Sequence, residues 1–138
     1  MSGHKLNAWA DYLARRGEYG FERWSNVYEA NQTRARLANQ AVDAYQETLG
    51  WGKREVTVQV NVDGDDYDRR LDIADLETRR AIEYKTGYQT ATEDNLQEIA
   101  RDRALTRQGW NIQWVFRDTA SKPLKAYLTD AGIPYRGG

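Results

Sequence analysis

The segment from Glu55 to Val62 reads Glu-Val-Thr-Val-Gln-Val-Asn-Val, with valine at every second position and a polar residue between. Side chains alternate across a strand, so Val56, Val58, Val60 and Val62 share one face while Thr57, Gln59 and Asn61 share the other. A helix would scatter the four valines around its axis. The chain must therefore build a sheet with at least one apolar face, and its neighbours must supply partner strands and a cover.

The partner strands follow at once. Asp63-Gly64-Asp65-Asp66 reads as a turn, and Arg69 to Asp75 returns as a second strand. The acids from Asp63 to Asp68 have the density of a calcium loop, but Asp68 stands where such a loop needs glycine and Ala74 where it needs a bidentate acid. A hairpin accounts for them better. A short connection, Leu76 to Arg80, leads to a third strand, Ala81-Ile82-Glu83-Tyr84-Lys85, so the three strands form an antiparallel meander. A fourth strand, Trp110 to Phe116, carries Trp110, Ile112, Trp114 and Phe116 on one face, which favours core packing over base stacking for the two tryptophans.

Helices supply the cover. Residues 5 to 15 predict a short helix with Leu6, Trp9 and Leu13 on one stripe, interrupted near Gly17 and Gly20. Phe21 to Leu49 is helical in composition, as one helix or as two broken near Asn31, with Ala38, Ala41, Val42, Tyr45 and Leu49 on its core side. Gly50-Trp51-Gly52 stops it and leaves Trp51 as a candidate surface contact. Thr90 or Thr92 caps a third helix running to about Gln108, with Leu96, Ile99, Ala100 and Leu105 buried. Ser121 caps a last helix, with Pro123 in its first turn and Gly132 at its end. With no repeats or long linkers, the 138 residues predict a single α/β domain over 1–138. No run approaches the roughly 18 apolar residues of a membrane span and the start lacks a signal-peptide pattern, so the expectation is a soluble protein.

Composition narrows the chemistry. There is no cysteine and one histidine, His4. Thiolate and histidine-rich zinc sites, cysteine nucleophiles and disulfide scaffolds are thereby excluded, and a Ser-His-Asp triad would have to recruit a terminal residue. Any metal must be held by oxygen, which points to Mg²⁺ or Mn²⁺, with Ca²⁺ as a non-productive competitor. Lys and Arg number 20 against 21 Asp and Glu, so the chain is not a cationic nucleic-acid coat. Its acids cluster between residues 63 and 83, whereas Arg101, Arg103, Arg107, Lys122 and Lys125 lie later, as a basic margin would around an acidic centre.

On the third strand Glu83 and Lys85 point one way, Ile82 and Tyr84 the other. If Leu71 and Ile73 share the core face with Ile82 and Tyr84, Asp72 joins Glu83 and Lys85. Two carboxylates about 4 Å apart repel by roughly 4 kcal/mol at an effective dielectric of 20, so the pair calls for a cation. Asp72 and Glu83 are accordingly the candidate metal ligands, with Lys85 placed to orient a water or to neutralise charge. The alternative is a surface salt-bridge ladder of Glu83, Lys85 and nearby arginines. Arg69, Arg70, Arg79 and Arg80 flank the strands as backbone contacts or as ordinary decoration. Asp75 falls three residues after Asp72 and should face away.

Leu71-Asp72, a gap of ten residues, and Glu83-Tyr84-Lys85, in helix, three-strand, helix, strand order, resemble the PD-(D/E)xK, or restriction-endonuclease-like, nuclease superfamily over roughly residues 32 to 132. Leu71 replaces the proline of the family's name. The resemblance implies a restriction-endonuclease-like core with N-terminal helices, a mixed sheet of about four strands and a C-terminal helix. It implies that Asp72, Glu83 and Lys85 are catalytic, that Asp72 and Glu83 bind Mg²⁺ or Mn²⁺, and that Gln97 and Arg101 on the following helix contact substrate. It also implies a further acid from the N-terminal helical region, where Glu22 and Glu47, with Glu29 as a third choice, are not separated by helical phase. The stretch from Gly109-Trp110 through Phe116 to Leu128 and Ile133 is similar to C-terminal nuclease domains of bacterial polymorphic toxins. That likeness implies a nucleic-acid substrate, DNA ahead of RNA or tRNA, delivery into a target bacterial cell, and a cognate immunity protein. The same core serves phage and DNA-repair nucleases, and a non-catalytic binding or interaction domain that retains the fold is the alternative.

Overall fold

The computed structural model describes residues 2–15, 17 and 20–138. The chain packs as two units, Met1–Asn39 and Gln40–Gly138. In the first, α1 (Gly3–Ala14) begins at Ser2, whose hydroxyl accepts from the Lys5 amide at 3.1 Å. Helix α2 (Phe21–Leu49) is continuous across the predicted break at Asn31 and carries on into the second unit. Trp9 lies edge-on to Phe21 at 5.0 Å between centroids and tilted against Trp24, also at 5.0 Å, and Trp24 stacks on Tyr28 at 5.1 Å. The predicted stripe of α1 is corrected here: Leu6 and Leu13 are exposed, and Trp9 and Tyr12 make the contacts instead. Broad rings cover a two-helix hairpin that has too few residues to enclose leucines on every side.

The second unit is a five-stranded mixed sheet in the order β1-β2-β3-β4-β5. Strands β1 (Lys53–Val62) and β2 (Asp65–Asp75) join through Asp63-Gly64, both with positive φ (52° and 94°), the two-residue hairpin that Asp-Gly favours. Strand β3 (Arg80–Lys85) completes the antiparallel meander. Helix α3 (Glu93–Arg107) then crosses over, so that β4 (Asn111–Phe116) pairs parallel to β3. Helix α4 (Lys122–Asp130) returns the chain to β5 (Tyr135–Gly137), which adds parallel to β4. This fifth strand was not anticipated, because three exposed residues carry no alternation to read. The α/β class and the mixed sheet agree with expectation. No helix among the described residues is long and apolar enough to cross a membrane.

Apolar side chains cover both faces of the sheet. On one, Val60, Leu71, Ala74, Ala81, Ile112 and Trp114 pack with Ile99 and Leu105 of α3 and with Leu124 and Leu128 of α4. On the other, Ile73, Ile82 and Val115 pack with Val42, Tyr45 and Leu49 of α2. The expected core face of β2 is therefore corrected. Leu71 and Ile73 belong to opposite layers, although residues two apart on a regular strand share a face. Alternation breaks at Asp72. Opposite it, between the paired positions Arg54↔Ile73 and Val56↔Leu71, Glu55 has a φ of 55°. Ala100, expected in the core, is exposed, and Asn95 and Asp102 take the inward positions of α3.

The turn into β1 depends on a glycine for two reasons. Gly52 has a φ of 86°, and a Cβ there would lie 2.6 Å from Ile73 Cγ2. Gly64 also has positive φ, but a Cβ would meet nothing within 4 Å. Gly52→Ala should therefore destabilise the protein by roughly 1–3 kcal/mol more than Gly64→Ala, because overpacking adds to backbone strain. Urea denaturation of the two variants checks this, and equal losses would contradict it.

Candidate active site

The break in β2 gives Asp72 its position. A carboxylate oxygen of Asp72 accepts the Tyr84 backbone N–H at 2.9 Å, a side-chain bond just past the last β2–β3 pair, Ile73↔Ile82. The same carboxylate lies beside that of Glu83 and raises its pKa. Arg54 donates to the Asp72 carbonyl at 3.2 Å and pairs with Asp43 at 2.8 Å.

Glu83 and Lys85 follow Ala81 on the α3 side of β3, while Ile82 and Tyr84 face α2. Glu83 is 4% exposed. Its Oε2 accepts from Arg69 Nη2 at 2.5 Å. Arg69, 5% exposed, donates in turn to both oxygens of Asp102, from Nε at 2.7 Å and from Nη2 at 3.0 Å. Asp102 is wholly buried and also accepts from Trp114 Nε1 at 2.9 Å. Lys85 Nζ pairs with Glu98 of α3 at 2.6 Å and lies 5.0 Å from the Trp114 ring centroid. Glu98 is also 4.0 Å from Arg69 Nη2.

Of the residues singled out from sequence, Asp72, Glu83 and Lys85 share this region. Gln97 and Arg101 instead line a shallow cleft with Val62, Tyr67 and Ala100, where Arg101 donates to the Asp68 carbonyl at 3.3 Å and sits over the Tyr67 ring. Glu47 is exposed on α2, whose Val42, Tyr45 and Leu49 cover the opposite face of the sheet. Glu22 and Glu29 belong to the first unit, where Glu22 is exposed and Glu29 pairs with Lys5 at 2.6 Å. Asp75 accepts the Glu77 amide at 3.0 Å in the β2–β3 turn. Trp51 is half-buried beneath Arg80, whose guanidinium carbon lies 3.9 Å from its ring centroid.

Sequence reasoning missed Arg69, Glu98 and Asp102. Arg69 looked like strand-end decoration, yet its parity with Leu71 puts it on the α3 face, where it is buried between two acids. Asn95, Glu98 and Asp102 recur at steps of three and four, the phase of buried Ile99, so this period marks the inward side of α3.

The electrostatics follow from burial. Desolvation pushes the Glu83 carboxyl up to about 8; Arg69 opposes the shift, and the hydrogen bond and charge of Asp72 reinforce it. Burial thus favours the neutral form of Glu83 beside Asp72. Glu98 is raised as well, first by burial and then by Glu83, against Lys85. Burial disfavours the charged Arg69, but Glu83 and Asp102 more than offset it and hold the guanidinium charged. Among the described residues no group of three or more His, Cys, Asp or Glu side chains is arranged to hold a metal ion. The adjacent carboxylates of Asp72 and Glu83 are a pair.

No protein-family model and no curated protein matches the chain. It is similar to a solved structure described as a protein of unknown function, AF1548, with a TM-score of 0.51 and 21% identity over 72% of this chain. The match spans 56% of that protein, and the likeness is one of fold.

In a chelating buffer, native Glu83 keeps a proton between pH 4.5 and about 8 that the unfolded chain has released. The native state then binds more protons, so stability falls as pH rises through that window and levels off above it. Glu98 contributes with the same sign. Denaturation midpoints across pH 5 to 8 should therefore decline for the native protein and decline less for Glu83→Gln. Parallel declines would show that Glu83 is not the group responsible.

Proposed function

We propose that the chain is a divalent-metal-dependent nuclease with a restriction-endonuclease-like core, in which Asp72 and Glu83 hold the metal and Lys85 is the catalytic amine. The observation that carries the reading is a juxtaposition: the carboxylates of Asp72 and Glu83, from neighbouring strands, lie side by side, with Lys85 on the Glu83 side of β3. Arg69 is shared between Glu83 and Asp102, and Lys85 pairs with Glu98. A divalent cation relieves the repulsion between two ionised carboxylates. A pair of carboxylates is also what Mg²⁺ commonly takes from a protein, with waters and substrate phosphate completing its octahedron. The meander followed by a crossover helix and a parallel strand supports the core assignment.

When bound, the ion would supply Lewis-acid stabilisation of the phosphoryl charge and a more acidic water. The protein's own contribution is positional. Asp72 is fixed by the Tyr84 amide. Lys85 shares the Glu83 side of β3 and brings an ammonium that orients the attacking water or offsets charge on the phosphorane. The likeness of residues 109–133 to polymorphic-toxin nucleases supports a role in bacterial antagonism with a cognate immunity protein, and DNA is the favoured polymer.

A second reading has its own observation. Glu83 is buried and already bonded to a cation, as in a structural ion pair, which suits a non-catalytic binding or interaction domain of the same fold. Incubation of supercoiled plasmid and total tRNA with Mg²⁺ or Mn²⁺, with and without chelator, separates the two. The nuclease reading predicts metal-dependent cleavage that Asp72→Ala and Lys85→Ala each reduce on the order of 100-fold or more. No cleavage of either polymer, or unchanged cleavage by both variants, would favour the second.

A further inference from the structure

The buried charges behind Glu83 have no part in the chemistry just described. Arg69 comes from β2, Glu83 from β3, Asp102 from α3 and Trp114 from β4, so a single hydrogen-bonded chain crosses four elements. Its geometry is asymmetric. Arg69 spends Nε and Nη2 on Asp102 at 2.7 and 3.0 Å and Nη1 on the Arg70 carbonyl at 2.9 Å, and the shared Nη2 also reaches Glu83 Oε2. The planar guanidinium is therefore clamped on three sides. Trp114 Nε1 holds the same Asp102 oxygen, Oδ2, that receives Nη2. One oxygen of Glu83 is committed to this clamp.

We propose that Arg69 is a positioning residue for Glu83, and that Asp102 and Trp114 set the orientation of Arg69. The inference rests on the reading of Asp72 and Glu83 as metal-holding carboxylates. Arg69 fixes the rotamer of Glu83 through Oε2, and Glu83 Oε1 remains for the cation beside Asp72. Side chains that orient metal ligands typically change affinity or activity by 10–100-fold when altered. Charge alone does not explain the arrangement, because a cation next to Glu83 repels an incoming metal and favours binding only by holding the ligand in place. Lysine keeps the charge and loses the fork.

The test measures Mn²⁺ binding by calorimetry at a temperature where each variant is fully folded by circular dichroism, with no substrate present. Arg69→Lys should weaken Mn²⁺ binding tenfold or more at unchanged charge, and Asp102→Asn should weaken it in the same direction. Trp114→Phe keeps the ring in the core and removes one donor to Asp102, so it serves if the other two fail to fold, with a loss of several-fold expected. A purely structural clamp would lower the unfolding midpoint and leave Mn²⁺ affinity within twofold of the native value in every folded variant, which would overturn the proposal. If the native chain binds no Mn²⁺, the metal reading fails and the positioning role fails with it. If native and Asp72→Ala differ while Arg69→Lys and Trp114→Phe bind as the native chain does, only the positioning role fails.

Discussion

A guanidinium on β2, shared between a carboxylate on β3 and another on α3, is the contact on which the geometry of the second unit depends. All three groups are nearly or wholly buried. Charges removed from water are costly unless each is met by an opposite charge and its hydrogen bonds, and breaking such a pair typically costs about 3–5 kcal/mol. Asp102 meets the condition through Arg69 and Trp114, so α3 is held to the sheet at a fixed position along its axis. Leu105 and Ile99, neighbouring inward positions of α3, then enter the same layer as Leu71 and Trp114. Apolar packing alone would tolerate a shifted helix more readily than this network does.

The other end of the network meets a second carboxylate. Asp102 is compensated, whereas Glu83 has only part of a guanidinium and a second carboxylate beside it. The break of β2 at Asp72 produces that neighbour. A regular strand with Leu71 on the α3 side would send Asp72 to the α2 side, away from Glu83. The backbone departs from regularity at Glu55 and Asp72, and the Tyr84 amide bonds the Asp72 carboxylate. The irregular backbone thus coincides with the place where the two acids meet.

Much of the sheet was legible because its residues alternate cleanly: the valines of β1 and the Ile112-Trp114-Phe116 face of β4 announce both the strands and their buried sides. The placement of Asp72 beside Glu83 was also reached, though from a regular β2, and the structure brings them together through an irregular one. Arg69 was not legible as a buried residue, since an arginine next to Arg70 near a turn is most often solvated, and only its parity with Leu71 hinted otherwise. The inward face of α3 was misread at Ala100 because polar Asn95 and Asp102 hold core positions by hydrogen bonds rather than by hydrophobicity. Strand β5 is defined by pairing to β4 and leaves no local pattern.

The proposed nuclease chemistry requires the Asp72–Glu83 pair to seat one divalent cation. Crystals of the protein grown or soaked with Mn²⁺ test it directly through anomalous scattering near the manganese edge. One peak is expected within about 2.5 Å of a carboxylate oxygen from each of Asp72 and Glu83, a separation of the kind found for oxygen-bound divalent ions. Glu83 should still be bonded to Arg69 in that structure. A well-ordered site with no peak between the two carboxylates, with Mn²⁺ in excess at neutral pH, would contradict it.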